Sequence, residues 1–329
     1  MPALLFETDA NPAPERIEAG HFTAHNGKPL RYALLKASSH PPRGTVVLLQ
    51  GRNEFIEKYY ETIDELAMRG FAVATFDWRG QGGSHRLLRD PLRGYVRRFE
   101  DYGDDLDRFL TEIVLPDCPP PVYMLAHSSG ALVALASLNR LASRITRMVL
   151  CAPFLGLSGL PFNDDTARRI TSSMRLLGLG RLYASGGRNL AARPFAGNSL
   201  TSDPARYMRN MEMVRKYSAL ALGGPTVRWI WGALHTARRV SRPDFLENPV
   251  IPILIVAAGA DRVVSTTLTE RFASRTRNVS LVTIDGARHE ILQEADFYRE
   301  QFWAAFDAFI PGSADTTASK ATEPELSGA

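Results

Sequence analysis

The hexapeptide Leu125-Ala126-His127-Ser128-Ser129-Gly130 places Ser128 between the small residues Ala126 and Gly130. Small-x-Ser-x-small is the pattern of a sharp strand-to-helix turn that lifts a hydroxyl above a sheet edge; the turn crowds strand against helix and leaves no room for larger flanking side chains. A serine hydroxyl is a poor nucleophile until a base takes its proton and a carboxylate orients that base. The chemistry implied is acyl transfer through a serine ester, with the acid and then the histidine following in the chain. Ala260-Asp261-Arg262-Val263-Val264 and Gly286-Ala287-Arg288-His289-Glu290 each follow an apolar run, so Asp261 is predicted as the acid and His289 as the base. Asp285 is the rival acid, near His289 in sequence but at a strand end, and the rival role for His289 is capping the last helix. A developing oxyanion needs two backbone donors. The Ser129 amide, at a helix N-terminus, is one candidate. The Arg52 amide is the other, with Gly51 either permitting close approach of its backbone or serving only as a turn residue.

The remaining histidines carry no such pattern. His21, His25 and His40 lie before the core or in its first hairpin, and His127 is expected to point sideways into supporting structure. His85 and His235 are candidates for the cleft wall or for plain surface. Two cysteines without a CxxC or Cys/His cluster argue against a zinc site, and neither a metal nor a cofactor is expected.

These residues need elements that bring distant segments to one edge. Thr45–Gln50, Phe71–Phe76, Val122–Ala126, Arg147–Pro153, Pro252–Gly259 and Ser280–Asp285 are apolar, β-branched runs suited to buried strands. Between them, Ile56, Tyr59, Ile63 and Leu66 share one helical face, as do Phe99, Tyr102, Leu106, Phe109 and Ile113. Further helices are predicted through Leu132 and Leu135, near Leu268–Ser274, and across Tyr298, Phe302, Phe306 and Phe309. Strand-helix alternation means a mostly parallel α/β sheet covered on both faces, with all strand C-termini, and so all the candidate residues, at one edge. Asn26-Gly27 signals a hairpin ahead of it. Cys118 and Cys151 fall at opposite ends of neighbouring strands, too far apart for a disulfide. The alternation breaks over 154–248. The predicted organisation is a core over 1–153 and 249–310, a helical cap insertion over 154–248, and a polar disordered tail over 311–329.

Composition bounds the function. At 329 residues, 45% hydrophobic and 22% charged, the chain can bury a large core, which excludes disordered and fibrous classes. The N-terminus does not read as a signal peptide and no run is long enough to span a bilayer, so a cytoplasmic location is expected. Net charge is +4, but the cap holds 14 Lys and Arg against six Asp and Glu. That local +8 suits an anionic ligand or surface, the rival being a solvated arginine-rich face. Ile170, Met174 and Leu177 share a helical face flanked by Arg168, Arg169 and Arg175. Met174, Leu177, Trp229 and Trp231 are candidates to line a substrate groove, the rival readings being contact of the tryptophans with the membrane interface and simple packing against the core.

Several blocks together resemble the monoacylglycerol lipase and lysophospholipase group of α/β-hydrolases, within the S33-like serine hydrolases, and bacterial lysophospholipases of the inner membrane in particular. They are Gly51-Arg52-Asn53-Glu54 with Lys58-Tyr59, Asp77-Trp78-Arg79-Gly80-Gln81-Gly82-Gly83-Ser84, Asp90-Pro91-Leu92-Arg93-Gly94-Tyr95-Val96, Phe99-Glu100-Asp101-Tyr102, the turn at Ser128, Asp261 and His289. They cover about two thirds of the chain. The resemblance implies the α/β-hydrolase fold and the same triad, Ser128, Asp261 and His289. It also implies a carboxylester hydrolase acting on single-chain lipids, lysophospholipid or monoacylglycerol. Gln50 and Ala126 depart from the histidine and glycine common at those positions. The alternatives are an aminopeptidase or broad carboxylesterase on the same fold, and a non-catalytic binding module. The expected partner is a lipid or ester small molecule, with peripheral contact between the basic cap and the inner face of the cytoplasmic membrane, and no nucleic acid. Asp77 and Arg79 are expected to tie their loop to its neighbours rather than perform chemistry.

Overall fold

The apolar runs form the strands β1 (Glu18–Thr23), β2 (Pro29–Leu35), β3 (Thr45–Leu49), β4 (Ala72–Phe76), β5 (Val122–His127), β6 (Arg147–Cys151), β7 (Ile253–Ala258) and β8 (Val279–Ile284). In the computed structural model, which describes residues 4–37, 39, 41–159, 161–188, 194–246 and 251–312, they build one sheet. Its order is β1-β2-β4-β3-β5-β6-β7-β8. β1 and β2 form the hairpin, turning through Ala24–Lys28 with Gly27 at positive φ, and β2 lies antiparallel to β4. From β4 to β8 every pair is parallel. The strands β3, β4, β5 and β7 are buried along their whole length, the pattern of a sheet covered on both faces.

The covering helices follow the predicted stripes. Tyr60–Met68 turns Ile63 and Leu66 inward, Glu100–Phe109 turns Tyr102, Leu106 and Phe109 inward, and Asp296–Phe309 buries Phe302 and Phe306. The loop after β4 is fixed by buried ion pairs. Asp77 accepts from Arg31 and from the amides of Ile56 and Gly83, while Arg79 pairs with Asp105 and Asp101. Both residues tie their loop to its neighbours.

Between β6 and β7 there is no strand among the described residues. A helical cap takes its place, each main helix opened by a side-chain cap. Asn163 accepts from the Thr166 amide before Asp164–Leu176, Asp203 from the Arg206 amide before Pro204–Lys216, and Thr226 from the Trp229 amide before Val227–Val240. Part of the cap's positive charge is spent on the core. Arg206 and Arg209 pair with Glu61, and Arg206 also reaches Asp296. Cys118 and Cys151 are both free thiols. No described helix is long and apolar enough to cross a membrane. Residues 313–329, most of the expected tail, lie outside the described residues, as does His40.

Candidate active site

β5 ends at His127 in extended backbone, and Ser128, the first residue of the helix Ser128–Ala136, adopts φ 51°. A left-handed serine is costly, and it is held here because strand and helix pack tightly on each side of it. At Gly130 a Cβ would lie 2.4 Å from the Gln50 carbonyl, so the helix can close on β3 only with glycine there. Gly51 is as crowded, since its Cβ would fall within 3.1 Å of Glu54 Oε2, His127 Nδ1 and Ser128 Cβ. The loop after β3 therefore passes directly over the serine. No described acceptor binds the amides of Arg52 and Ser129.

Asp261 lies three residues beyond β7 and His289 five beyond β8, both at the C-terminal edge. His289 Nε2 is 3.0 Å from Ser128 Oγ, and His289 Nδ1 is 2.7 Å from Asp261 Oδ2. The other carboxylate oxygen of Asp261 accepts from the amides of Val263 and Val264, at 2.7 and 2.9 Å. Burial opposes the Asp261 charge, but the His289 ring and these two amides hold its pKa below the ordinary carboxylate range. An ionised Asp261 accepts from Nδ1–H and leaves Nε2 as the acceptor facing the serine hydroxyl, the tautomer a general base needs. The rival acid, Asp285, is exposed and forms no hydrogen bond to His289 among the described residues.

Beneath the triad lies a charge cluster for which the sequence held no obvious signal. Glu54 accepts from the Gly51 amide, from Lys58 Nζ at 2.9 Å, from Tyr59 Oη at 2.7 Å and from His127 Nδ1 at 3.0 Å. Lys58 also pairs with Glu290 at 2.6 Å. The other nitrogen of His127 faces the His289 carbonyl at 3.1 Å. Both ring nitrogens of His127 thus meet acceptors alone, and satisfying both requires the imidazolium. Burial would lower the His127 pKa, yet the Glu54 charge raises it above the usual histidine range. Glu54 in turn is driven well below its usual range, Lys58 and His127 outweighing its burial. One carboxylate thereby ties the loop after β3 to the residue before Ser128, and through Lys58 and Glu290 to the loop of His289.

A cavity of about 540 Å³ opens on Ser128 and His289. Phe154, Leu157, Leu222, Trp229, Ile230 and Val263 supply much of its apolar wall. Trp229 is buried against Phe99 and Phe154 and donates to Tyr102 Oη at 3.2 Å. The other three groove candidates fall elsewhere, which corrects the sequence reading. The helix Asp164–Leu176 buries Ala167 and Thr171; Met174 is half-buried but absent from the cavity wall, and Leu177 stands 76% exposed. Trp231, two residues past Trp229, projects to the other side of its helix, stacked on His235 and beneath the Arg175 guanidinium. His85 and His235 are absent from the cavity wall. Sequence reasoning missed the segment 194–200 and Tyr207 and Asn210, which close the cavity from the cap.

The comparisons with known proteins identify the family and the fold. Residues 40–296 match the family described as "Serine aminopeptidase, S33". Lysophospholipase L2 of Escherichia coli (strain K12) is 33% identical over 317 residues, covering 94% of this chain and 92% of that protein. Phospholipase YtpA of Bacillus subtilis (strain 168) is 27% identical, covering 82% and 95%. Among solved structures, a soluble variant of monoglyceride lipase from Saccharomyces cerevisiae, in complex with a substrate analog, superposes with a TM-score of 0.73 at 19% identity, over 92% of this chain and 99% of that one. With its family matched over most of its length, the chain belongs to the serine aminopeptidase S33 family and is an α/β-hydrolase with a helical cap.

Proposed function

We propose that this hydrolase is a serine carboxylester hydrolase of single-chain lipids, lysophospholipids or monoacylglycerols. The alignment of Asp261, His289 and Ser128 at the floor of an apolar cavity carries the reading. Ser128 Oγ attacks the ester carbonyl as His289 Nε2 takes its proton, and the amides of Arg52 and Ser129 receive the developing oxyanion. His289 then protonates the departing alcohol, leaving an acyl-Ser128. Water, deprotonated by His289, attacks the acyl carbon, and the carboxylic acid departs as Ser128 recovers its proton. Asp261 keeps His289 in the competent tautomer and stabilises its charged form throughout.

The aminopeptidase reading needs an uncompensated carboxylate to hold a substrate ammonium. The acids along the cavity, Glu54 and Glu290, are already paired with Lys58 and His127. The related lysophospholipase, phospholipase and monoglyceride lipase point the same way by their names. A panel of p-nitrophenyl esters, lysophospholipids, monoacylglycerols and an aminoacyl anilide tests the reading. Hydrolysis of the long-chain lipid esters is expected to exceed that of the anilide by orders of magnitude. A purified, folded enzyme that cleaves the anilide best would overturn it.

The same proposal places the enzyme on the inner face of the cytoplasmic membrane. Six of the twelve large exposed apolar side chains among the described residues fall within 162–182: Phe162, Ile170, Leu176, Leu177, Leu179 and Leu182. A concentrated apolar patch of this kind marks an interaction surface. The arginines around it contribute unequally. Arg168 is paired with Asp165 and Arg175 covers Trp231, whereas Arg169 is exposed with no ion pair among the described residues. Burying leucines at the interface is worth about 1.5–3 kcal/mol each. Leu176→Ser with Leu177→Ser is therefore expected to weaken sedimentation with anionic vesicles by about tenfold or more. Turnover of a short soluble ester should hardly change, because neither side chain lines the cavity. Raised salt should weaken vesicle binding further, since screening acts over about 8–10 Å. Undiminished vesicle binding by the double variant would show that the patch does not meet lipid.

A further inference from the structure

The charges around the cavity balance except at one residue. Lys58 and His127 are offset by Glu54 and Glu290. Among the described residues lining the cavity, Arg52 alone is paired with no acid. Its guanidinium lies 5.4 Å from the Trp229 ring, under the cap, and only Nη2 finds an acceptor, the Gly223 carbonyl. Nε is buried with no hydrogen-bond partner, and Nη1 makes no hydrogen bond among the described residues. A guanidinium offers five donors in a planar fork, so most of this one's capacity is unspent. Burial without a compensating carboxylate pushes its pKa down to about 10, still leaving it charged at neutral pH. A half-buried cation lacking both an acid and most of its hydrogen bonds costs stability, and a site that recognises an anion offsets that cost on binding.

Its position says which part of a substrate would meet it. The backbone amide of Arg52 is proposed to hold the oxyanion, so the side chain of the same residue reaches the cavity wall a few bonds from the scissile ester. In a monoacyl glycerophospholipid the phosphodiester stands at that remove from the ester, across the glycerol. We propose that Arg52 is the headgroup subsite of this enzyme, binding the phosphate of a lysophospholipid through its charge and its unused Nη1 hydrogens and selecting it over a neutral monoacylglycerol. This rests on the ester-hydrolase reading above.

The test compares kcat/KM for a lysophospholipid with that for a monoacylglycerol of the same acyl chain, in the same neutral mixed micelles, for the wild type, Arg52→Gln and Arg52→Lys. Binding of the corresponding ether lipids, which have no ester to cleave, is measured alongside. A hydrogen-bonded charge contact is worth about 1.5–3 kcal/mol, so the phospholipid-to-monoacylglycerol ratio should fall about tenfold or more in Arg52→Gln, whatever loss the two substrates share. The Kd of the phosphate-bearing ether lipid should rise by a similar factor while that of the neutral ether lipid moves little. Arg52→Lys, which keeps the charge but not the fork, should fall between. Should Arg52→Gln fail to fold, the Lys variant decides, a lowered ratio supporting the subsite and an unchanged ratio overturning it. Unchanged ratios in both variants would overturn the subsite and leave ester hydrolysis standing. Arg52-dependent binding of the phosphate-bearing ether lipid by a wild type that cleaves neither ester would overturn the hydrolase reading and leave the subsite standing. Inorganic phosphate, added as a competitor of a short neutral ester, separates a headgroup site from a general phosphate site. Weak competition supports the lipid headgroup, and competition as strong as that of the ether lysophospholipid overturns it.

Discussion

Ser128→Ala is expected to lower ester hydrolysis on the order of 10⁴-fold or more while the protein stays folded. The substitution removes the attacking oxygen and little else. Among the described residues Ser128 Oγ has one side-chain partner, His289 Nε2, and the packing of the turn rests on Gly51 and Gly130. Alanine also tolerates the positive φ no worse than serine does. The measurement is kcat on a soluble ester, beside labelling by a fluorophosphonate, which should modify Ser128 in the wild type and leave the variant untouched. Near-wild-type turnover in the variant, with contamination excluded, would sink the nucleophile assignment and direct attention to Ser129.

The residues involved were legible because each depends on short-range pattern. Small residues flanking Ser128 report a steric demand, and Gly130 meets it against the Gln50 carbonyl. Asp261 and His289 follow aliphatic runs, and parallel strands deliver all such positions to one edge. The cluster of Glu54, Lys58, His127 and Glu290 was not legible in this way. Glu54 and Lys58 stand at i,i+4, but His127 and Glu290 are distant from them in sequence, and charged side chains carry no periodicity that distinguishes a buried pair from a solvated one. His127 was expected to face supporting structure, which it does, but the sequence could not name Glu54 as its partner. The helix Asp164–Leu176 shows a different limit. Periodicity put Ile170, Met174 and Leu177 on one face, but not what that face would meet. The small side chains of Ala167 and Thr171 took the inside, and Ile170 and Leu177 were left to solvent. The segment 194–200 has no pattern at all, and its place in the cavity wall follows only from the fold.

The acid assignment carries the second large effect. Asp261→Asn is expected to lower kcat by roughly 10⁴-fold, and Asp285→Asn to change it little. The asparagine oxygen can still accept from the Val263 and Val264 amides, so the loop after β7 should keep its shape. What faces His289 Nδ1 then becomes an NH₂ group. Two donors cannot share that contact, so Nδ1 gives up its proton and Nε2 takes it. The nitrogen 3.0 Å from Ser128 Oγ becomes a donor and can no longer accept the serine proton. Asp285 is exposed at the end of β8, and its amide would leave the tautomer of His289 unaltered. A large loss in Asp285→Asn beside a mild one in Asp261→Asn, in purified proteins of matched thermal stability, would show that the catalytic carboxylate is the one next to His289 in sequence. The expected ranking would instead show that reach across the sheet edge, from β7 to the loop after β8, sets which acid orients the base.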